Sequence, residues 1–119
     1  MWNHDEPHDE RSELFGGRGI VRVWNAIPRP IVPFRNVLAC ELEPGASVGP
    51  HVQAEYAELV IVVSGSGRAF ASERHHELSS GVVIELPLGH TLSLENVSVS
   101  EPLRYFIVKA GNDPESSRS

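Results

Sequence analysis

Three polar side chains fall close together in the middle of the sequence: His51, Gln53 and Glu58. His51 and Gln53 are two residues apart, so a β-strand would point both side chains to the same side. The four residues that follow allow a turn, after which Glu58 enters on the next strand. The spacing therefore predicts that an imidazole, an amide and a carboxylate meet at one interior point.

Other residue types that carry chemistry lack the neighbours they need. Cys40 is the only cysteine. No basic residue lies close to it in sequence, so we expect a small buried hydrophobe rather than an activated nucleophile. His75 and His76 are adjacent in a predicted polar turn, Glu73–His76, where we expect both to be solvated. The chain shows no Ser-His-Asp spacing, phosphate-binding loop or dinucleotide-binding fingerprint.

The elements that must position these residues are short strands. Ten glycines and nine prolines punctuate the 119 residues, which is typical of strands and turns rather than long helices. Only Ser12–Leu14 could form a single helical turn. The hydrophobic pattern predicts strands at short intervals over residues 20–24, 36–43, 58–64, 68–72, 81–86, 91–94 and 103–109. Short strands at this spacing indicate an all-β sandwich or barrel.

The chain length predicts one domain with one hydrophobic core. Residues 1–15 are polar and acidic and predict an N-terminal arm without periodic structure, which is expected to be mobile. Residues 16–110 are assigned to the barrel. Residues 111–119 are predicted to be a flexible polar tail.

The segment from Gly45 to Asn96 contains two spacing patterns, G-x5-H-x-Q-x4-E-x6-G and G-x5-P-x-G-x2-L-x3-N. These resemble the two cupin motifs, which have histidine at the positions of Gln53 and Leu92. Eight of the ten fixed positions agree with the motifs. The resemblance implies a conical β-barrel or jelly roll, the double-stranded β-helix, with both motifs facing a central pocket.

In cupins, three histidines and the glutamate bind one divalent transition metal: iron, manganese, nickel, copper or zinc. Carried over by position, only His51 and Glu58 remain standard ligands. The Gln53 amide is a weaker ligand than imidazole, and Leu92 offers no ligand atom. His90 could compensate if its strand runs straight, although its ring would lie about 7 Å along the strand from the usual position. Two interpretations stay open: a metal held by His51, Gln53, Glu58 and His90, or a metal-free pocket with a polar patch.

The expected pocket lining is mainly apolar. The strand face that carries Glu58 also carries Val60 and Val62, and the expected neighbours are Leu38, Cys40, Leu92 and Leu94. Such a lining is typical of a small-molecule site. The leading hypothesis is a cupin that binds a small organic ligand as a carrier, sensor or auxiliary module. The alternatives are a metal-dependent dioxygenase, isomerase or lyase, and a structural protein with a vestigial pocket.

Charge and hydropathy narrow the range of partners. The net charge of −6 and the scattered basic residues argue against nucleic acid. The longest apolar run, Leu59–Val63, is far shorter than the roughly 20 residues of a membrane span. With one cysteine and no visible secretory signal, we expect a cytoplasmic protein that uses neither a membrane nor nucleic acid as a partner. The cupin resemblance implies a homodimer, in which residues 1–15 could be an exchanged arm.

Overall fold

The computed structural model describes residues 1–111, which form ten β-strands and one 3-10 turn, Leu14–Gly16. In chain order the strands are β1 (Asp9–Ser12), β2 (Ile20–Asn25), β3 (Phe34–Leu42), β4 (Ser47–Val52), β5 (Ala57–Ser64), β6 (Gly67–Ala71), β7 (Arg74–Leu78), β8 (Val83–Leu86), β9 (Thr91–Asn96) and β10 (Leu103–Ala110). Residues 112–119, most of the predicted tail, lie outside the described residues. No helix within the described residues has the length and apolar character to cross a membrane.

The strands form two antiparallel sheets. The larger sheet has the order β1-β2-β3-β10-β5-β8, and the smaller sheet has the order β4-β9-β6-β7. Their facing sides share one core, because alternate residues of each strand point inward. The fully buried core side chains include Leu42, Val60, Leu92, Leu103 and Tyr105. The predicted all-β jelly roll is therefore confirmed.

Asn96, the last residue of the second motif, joins the end of β9 to two neighbouring segments. Its side chain is buried, and its amide nitrogen donates to the carbonyls of Leu42, Glu43 and Glu101 at 2.8–3.1 Å. Its amide oxygen accepts from the backbone N–H of Ser98 at 2.9 Å. This motif residue therefore stabilises the fold and is not among the residues that line the interior pocket.

Three strands lie outside the ranges that the hydrophobic pattern predicted: β4, for which only the spacing of His51 and Gln53 indicated a strand, and the polar strands β1 and β7. The predicted turn Glu73–His76 is wrong: β7 begins at Arg74, and the turn is one step earlier, at Ser72 and Glu73, which both have positive φ. The strand β1 likewise lies within residues 1–15, for which no periodic structure was expected. Both polar strands lie at sheet edges and are largely exposed. Polar edge strands lack the apolar alternation from which strands are predicted.

The first part of the N-terminal arm, from Trp2 to His8, lies along the outer face of the larger sheet. The Trp2 ring packs against Trp24 at a centroid distance of 6.0 Å and against Phe106 at 5.5 Å. His4 Nε2 lies 2.6 Å from a carboxylate oxygen of the buried Glu41. The arm therefore covers Trp24, which is only 2% exposed although it points away from the core.

Candidate functional site

A cavity of about 240 Å³ lies between the two sheets. Its polar lining consists of His51, Gln53, Glu58, Tyr105 and Lys109. Its apolar lining consists of Leu14, Phe15, Val21, Val23, Leu38, Cys40, Val48, Val52, Leu92, Leu94 and Ile107. The cavity therefore has a mostly apolar wall and a small set of polar groups, which is the usual character of a small-molecule site.

The structure brings together most of the site residues predicted from sequence. His51, Gln53 and Glu58 all line the cavity, as do Leu38, Cys40, Leu92 and Leu94. Val60 and Val62 are buried in the core but are not part of the cavity wall. Whether these residues bind a ligand remains a prediction, while their positions follow from the fold.

Glu58 is the buried charged group of the cavity. Its side chain is only 4% exposed, and its Oε2 has no hydrogen-bond partner within residues 1–111. Burial raises the pKa of Glu58, because a carboxylate loses its hydration there, and the nearby Lys109 charge acts in the opposite direction. Lys109 lies directly across from Glu58 in the β5–β10 ladder. The cavity therefore contains an acceptor oxygen without a protein donor, next to one positive charge.

Gln53 follows directly after β4, and its backbone is fixed by the loop that precedes β9. Its N–H donates to the carbonyl of His90 at 3.0 Å, and its C=O accepts from the N–H of Gly89 at 2.7 Å. The side chain is 8% exposed and lines the cavity. The loop before β9 therefore fixes the Gln53 backbone, and the side chain lines the same cavity as Glu58 and His51.

The His51 ring is held from two directions. Its Nδ1 lies 3.1 Å from the carbonyl of Gly49, so Nδ1–H donates. The neutral ring then leaves Nε2 as an acceptor. The Phe15 ring stacks on the imidazole at a centroid distance of 4.2 Å and an angle of 13°. His51 therefore has a fixed orientation and a fixed tautomer when it is neutral.

The turn that carries Phe15 depends on two glycines. A Cβ atom at Gly49 would lie 1.9 Å from the carbonyl oxygen of Phe15, and one at Gly17 would lie 2.1 Å from the carbonyl oxygen of Ser47. Only glycine permits such a close approach of two backbones. The turn can therefore pack directly against β4, and this packing places Phe15 in the cavity wall.

Sequence reasoning missed several cavity residues, of which Leu14, Phe15 and Lys109 do most to define the site; the others include Val21, Val23, Val48, Val52 and Ile107. The available signal for Leu14 and Phe15 was an apolar pair followed by Gly16-Gly17, at the end of an otherwise polar arm. Lys109 gave no signal, because its position depends on the pairing of β10 with β5 across 51 residues of sequence (109 − 58).

Cys40 and Tyr105 face each other across β3 and β10, and each contacts the other's polar atom. Burial is the main cause that raises the pKa of the Cys40 thiol to about 12 and that of Tyr105 well above its usual range. Both groups are therefore neutral at physiological pH. The expectation that Cys40 is a buried small hydrophobe agrees with this environment.

The residues at the cavity do not match the four ligands of a cupin metal centre. Leu92, at the position of the third histidine, lies directly across from His51 in the β4–β9 ladder. One imidazole, one carboxylate and one amide remain, and the amide is a weak ligand for transition metals. Residues 1–111 contain no group of three or more His, Cys, Asp or Glu side chains that could hold a metal ion. This donor set does not fit a tight transition-metal site.

His90 does not join the other three predicted ligands. It is exposed, it is not part of the cavity wall, and its Nδ1 lies 2.6 Å from the hydroxyl oxygen of Ser72. The strand β9 begins at Thr91, after a turn in which Gly89 has a φ of +86°. The alternation that places Leu92 inward therefore does not extend back to His90.

The fold and this interior site are those of a small cupin domain. The family model for cupins matches residues 18–118, so the chain belongs to the cupin family. A search of curated proteins found no match.

Solved structures of similar fold include a predicted oxalate decarboxylase from Thermotoga maritima, with a TM-score of 0.81 and 22% identity, covering 89% of this chain and 93% of that one. A cupin 2 conserved barrel domain protein from Salinispora arenicola has a TM-score of 0.66 and 26% identity, covering 83% and 85% of the two chains. KdgF from Halomonas sp. has a TM-score of 0.70 and 14% identity, covering 95% and 94%. The similarity extends over nearly the whole length of these proteins.

Proposed function

We propose that this cupin binds a small organic molecule in the cavity between its sheets, without needing a transition metal. The observation that carries the proposal is the buried Glu58 Oε2, which lacks a partner among residues 1–111, at the polar end of an otherwise apolar cavity. A buried acceptor without a donor costs about 1–3 kcal/mol of stability. A ligand that supplies the donor would remove this cost.

The size of the cavity limits the ligand. About 240 Å³ is below the range of roughly 300–1,000 Å³ found for drug-sized ligands. We therefore expect a compact molecule, smaller than a typical drug-sized ligand. The apolar wall would contact most of it, and the polar end would orient it.

A methyl NMR titration tests the proposal. Protein with labelled Leu and Val methyl groups is titrated with small neutral compounds, among them cyclohexanol, benzyl alcohol and indole. Binding in the cavity should shift the methyl resonances of Leu38, Leu92 and Leu94 and leave those of the exposed Leu88 unchanged.

A pair of variants locates the binding. Leu38→Phe should weaken binding because the larger side chain fills the cavity, whereas Leu88→Phe on the surface should not. Absence of shifts at the cavity methyls, or equal binding by Leu38→Phe, would contradict the proposal. Sub-micromolar binding of Zn²⁺, Ni²⁺, Mn²⁺ or Fe²⁺ that is lost in His51→Ala would instead favour the metal-dependent enzyme.

We also propose a homodimer formed through the outer face of the larger sheet. Leu59 and Val63 of β5 and Val83 of β8 are each more than a third exposed on that face, and β8 is an edge strand. An exposed apolar face beside an open edge favours association.

A pair of surface variants tests the dimer. Val83→Lys should lower the molar mass measured by light scattering toward that of the monomer, and Val99→Lys in an exposed loop should not. Monomeric wild-type protein at high concentration would contradict the dimer.

A further inference from the structure

We infer that the ligand of the cavity is an uncharged alcohol or phenol with an apolar body, whose hydroxyl group donates a hydrogen bond to Glu58. The inference rests on the proposed function and adds the chemical class of the ligand. It depends on the acceptors, the charges and the apolar wall of the cavity.

The polar end of the cavity contains a buried acceptor that no donor of the described residues reaches. Glu58 Oε2 has no protein donor among residues 1–111, and a carboxyl group keeps an accepting oxygen in either protonation state. The neutral His51 ring accepts at Nε2, because its Nδ1–H is already used by the carbonyl of Gly49. The Tyr105 hydroxyl contacts the Cys40 thiol instead. A ligand hydroxyl would supply the donor that Glu58 lacks.

The charges at this end argue against a charged ligand. A cation next to Glu58 would also lie near Lys109, which pairs with Glu58 across the β5–β10 ladder. An anion next to Lys109 would lie near Glu58 for the same reason. Like charges repel strongly where little water screens them. An uncharged donor satisfies Glu58 without either repulsion.

The apolar wall that adjoins the polar groups selects an apolar body. Leu92 occupies the position at which cupins carry a metal-ligating histidine, and it lies across from His51. Leu94, Leu38 and Phe15 extend the apolar surface around it. A polyhydroxylated compound would leave most of its hydroxyl groups without partners on this wall, which would weaken its binding.

Four probes with the same benzyl skeleton test the inference: benzyl alcohol, benzyl methyl ether, benzylamine and benzoate. Each is titrated at pH 7 into wild-type protein with labelled methyl groups, and binding is followed at Leu92 and Leu94. We expect benzyl alcohol to bind at least about tenfold more tightly than the other three, because only it is an uncharged donor. In Glu58→Leu the alcohol should lose its advantage over the ether. The wild-type comparison remains decisive if that variant folds poorly.

The outcomes separate the inference from the proposed function. If the alcohol and the ether bind equally, recognition by Glu58 is wrong while the cavity remains a binding site. Tightest binding of benzylamine or of benzoate would replace the uncharged class with a cationic or an anionic one, which also overturns the inference. If no probe shifts the cavity methyls, the proposed function and the inference fail together.

Discussion

Leu92 lies directly across from His51 in the ladder between β4 and β9, with its side chain fully buried. In the cupin motif this position carries a histidine, so an apolar side chain fills the space of a metal ligand. The motif spacings and the match to the family model are retained around this position.

Restoring the missing ligands should therefore create a metal site. The double variant Gln53→His, Leu92→His would place three imidazoles and the Glu58 carboxylate around one point. We expect its affinity for Ni²⁺ or Zn²⁺ to exceed that of the wild type by at least about a hundredfold, because even residues that only support metal ligands change affinity 10–100-fold. Isothermal titration calorimetry measures the difference.

The histidine outside the cavity provides the control. Removing His90 from the double variant by His90→Ala should leave the new metal affinity unchanged, since His90 is not part of the cavity wall. An unchanged affinity in the double variant itself would mean that positions 51, 53, 58 and 92 do not converge closely enough to share an ion.

The sequence could predict that His51, Gln53 and Glu58 line one cavity because part of that information is local. The i, i+2 alternation of a strand puts His51 and Gln53 on one side, and a short connection leads to β5, which carries Glu58. The two strands do not form a hairpin: β4 lies in the smaller sheet and β5 in the larger one, so Glu58 faces the other two side chains across the cavity. The same rule was wrongly extended to His90. The turn before Thr91 contains a glycine with positive φ, and alternation does not continue through such a turn.

The remainder of the site could not be predicted because it depends on contacts that are distant in sequence. Lys109 reaches the cavity only because β10 pairs with β5, and Phe15 reaches it only because two glycine backbones meet. Neither arrangement leaves a periodic pattern. The polar edge strand β7 was missed for a related reason, since no buried face constrains most of its residues.

Phe15 should protect His51 from reagents in solution. In Phe15→Ala the stacked ring is removed from the imidazole, and we expect diethyl pyrocarbonate to modify His51 several-fold faster than in the wild type. Mass spectrometry of the digested protein measures the rate at each histidine, and His90 serves as an internal reference. Phe34→Ala removes a similarly exposed phenylalanine away from the cavity and should not change the rate. Equal rates at His51 in wild type and Phe15→Ala would show that the stacking does not shield the ring.

Cys40 should not react with thiol reagents in the folded protein. With a pKa of about 12, its thiolate fraction at pH 8 is about one in ten thousand, and the side chain is only 2% exposed. We expect no labelling by iodoacetamide over hours in native buffer and complete labelling in denaturant. Prompt labelling in native buffer, without loss of the folded far-UV spectrum, would mean that the cavity admits the reagent and that the thiol is activated there.

Glu41 should make the stability of the protein depend on acidic pH. The side chain is 4% exposed, and it accepts from Arg104 Nε at 2.9 Å and lies 2.6 Å from His4 Nε2. Burial alone would raise the pKa of Glu41, but the hydrogen bonds with His4 and Arg104 outweigh it and hold the pKa below the usual value. A carboxyl whose pKa is lowered by folding stabilises the protein above its usual pKa of 4.5, and this contribution is lost as the pH falls through the lowered value.

Glu41→Gln tests this dependence. We expect the variant to lose about 2 kcal/mol of unfolding free energy at pH 7, because a hydrogen-bonded buried charge is removed. The difference from wild type should shrink as the pH falls below the usual value of 4.5, since the carboxyl of the unfolded protein then takes up a proton, and it should be lost once the pH passes the lowered pKa of the folded protein. Urea denaturation at a series of pH values measures this difference in unfolding free energy.

Glu43→Gln is the matched control, because Glu43 pairs with Arg22 at 3.1 Å but is much more exposed. Exposed ion pairs contribute at most about 1 kcal/mol. If Glu41→Gln lowered the unfolding free energy by the same amount at pH 3 and pH 7, the charge of the Glu41 carboxylate would not be the source of the stability.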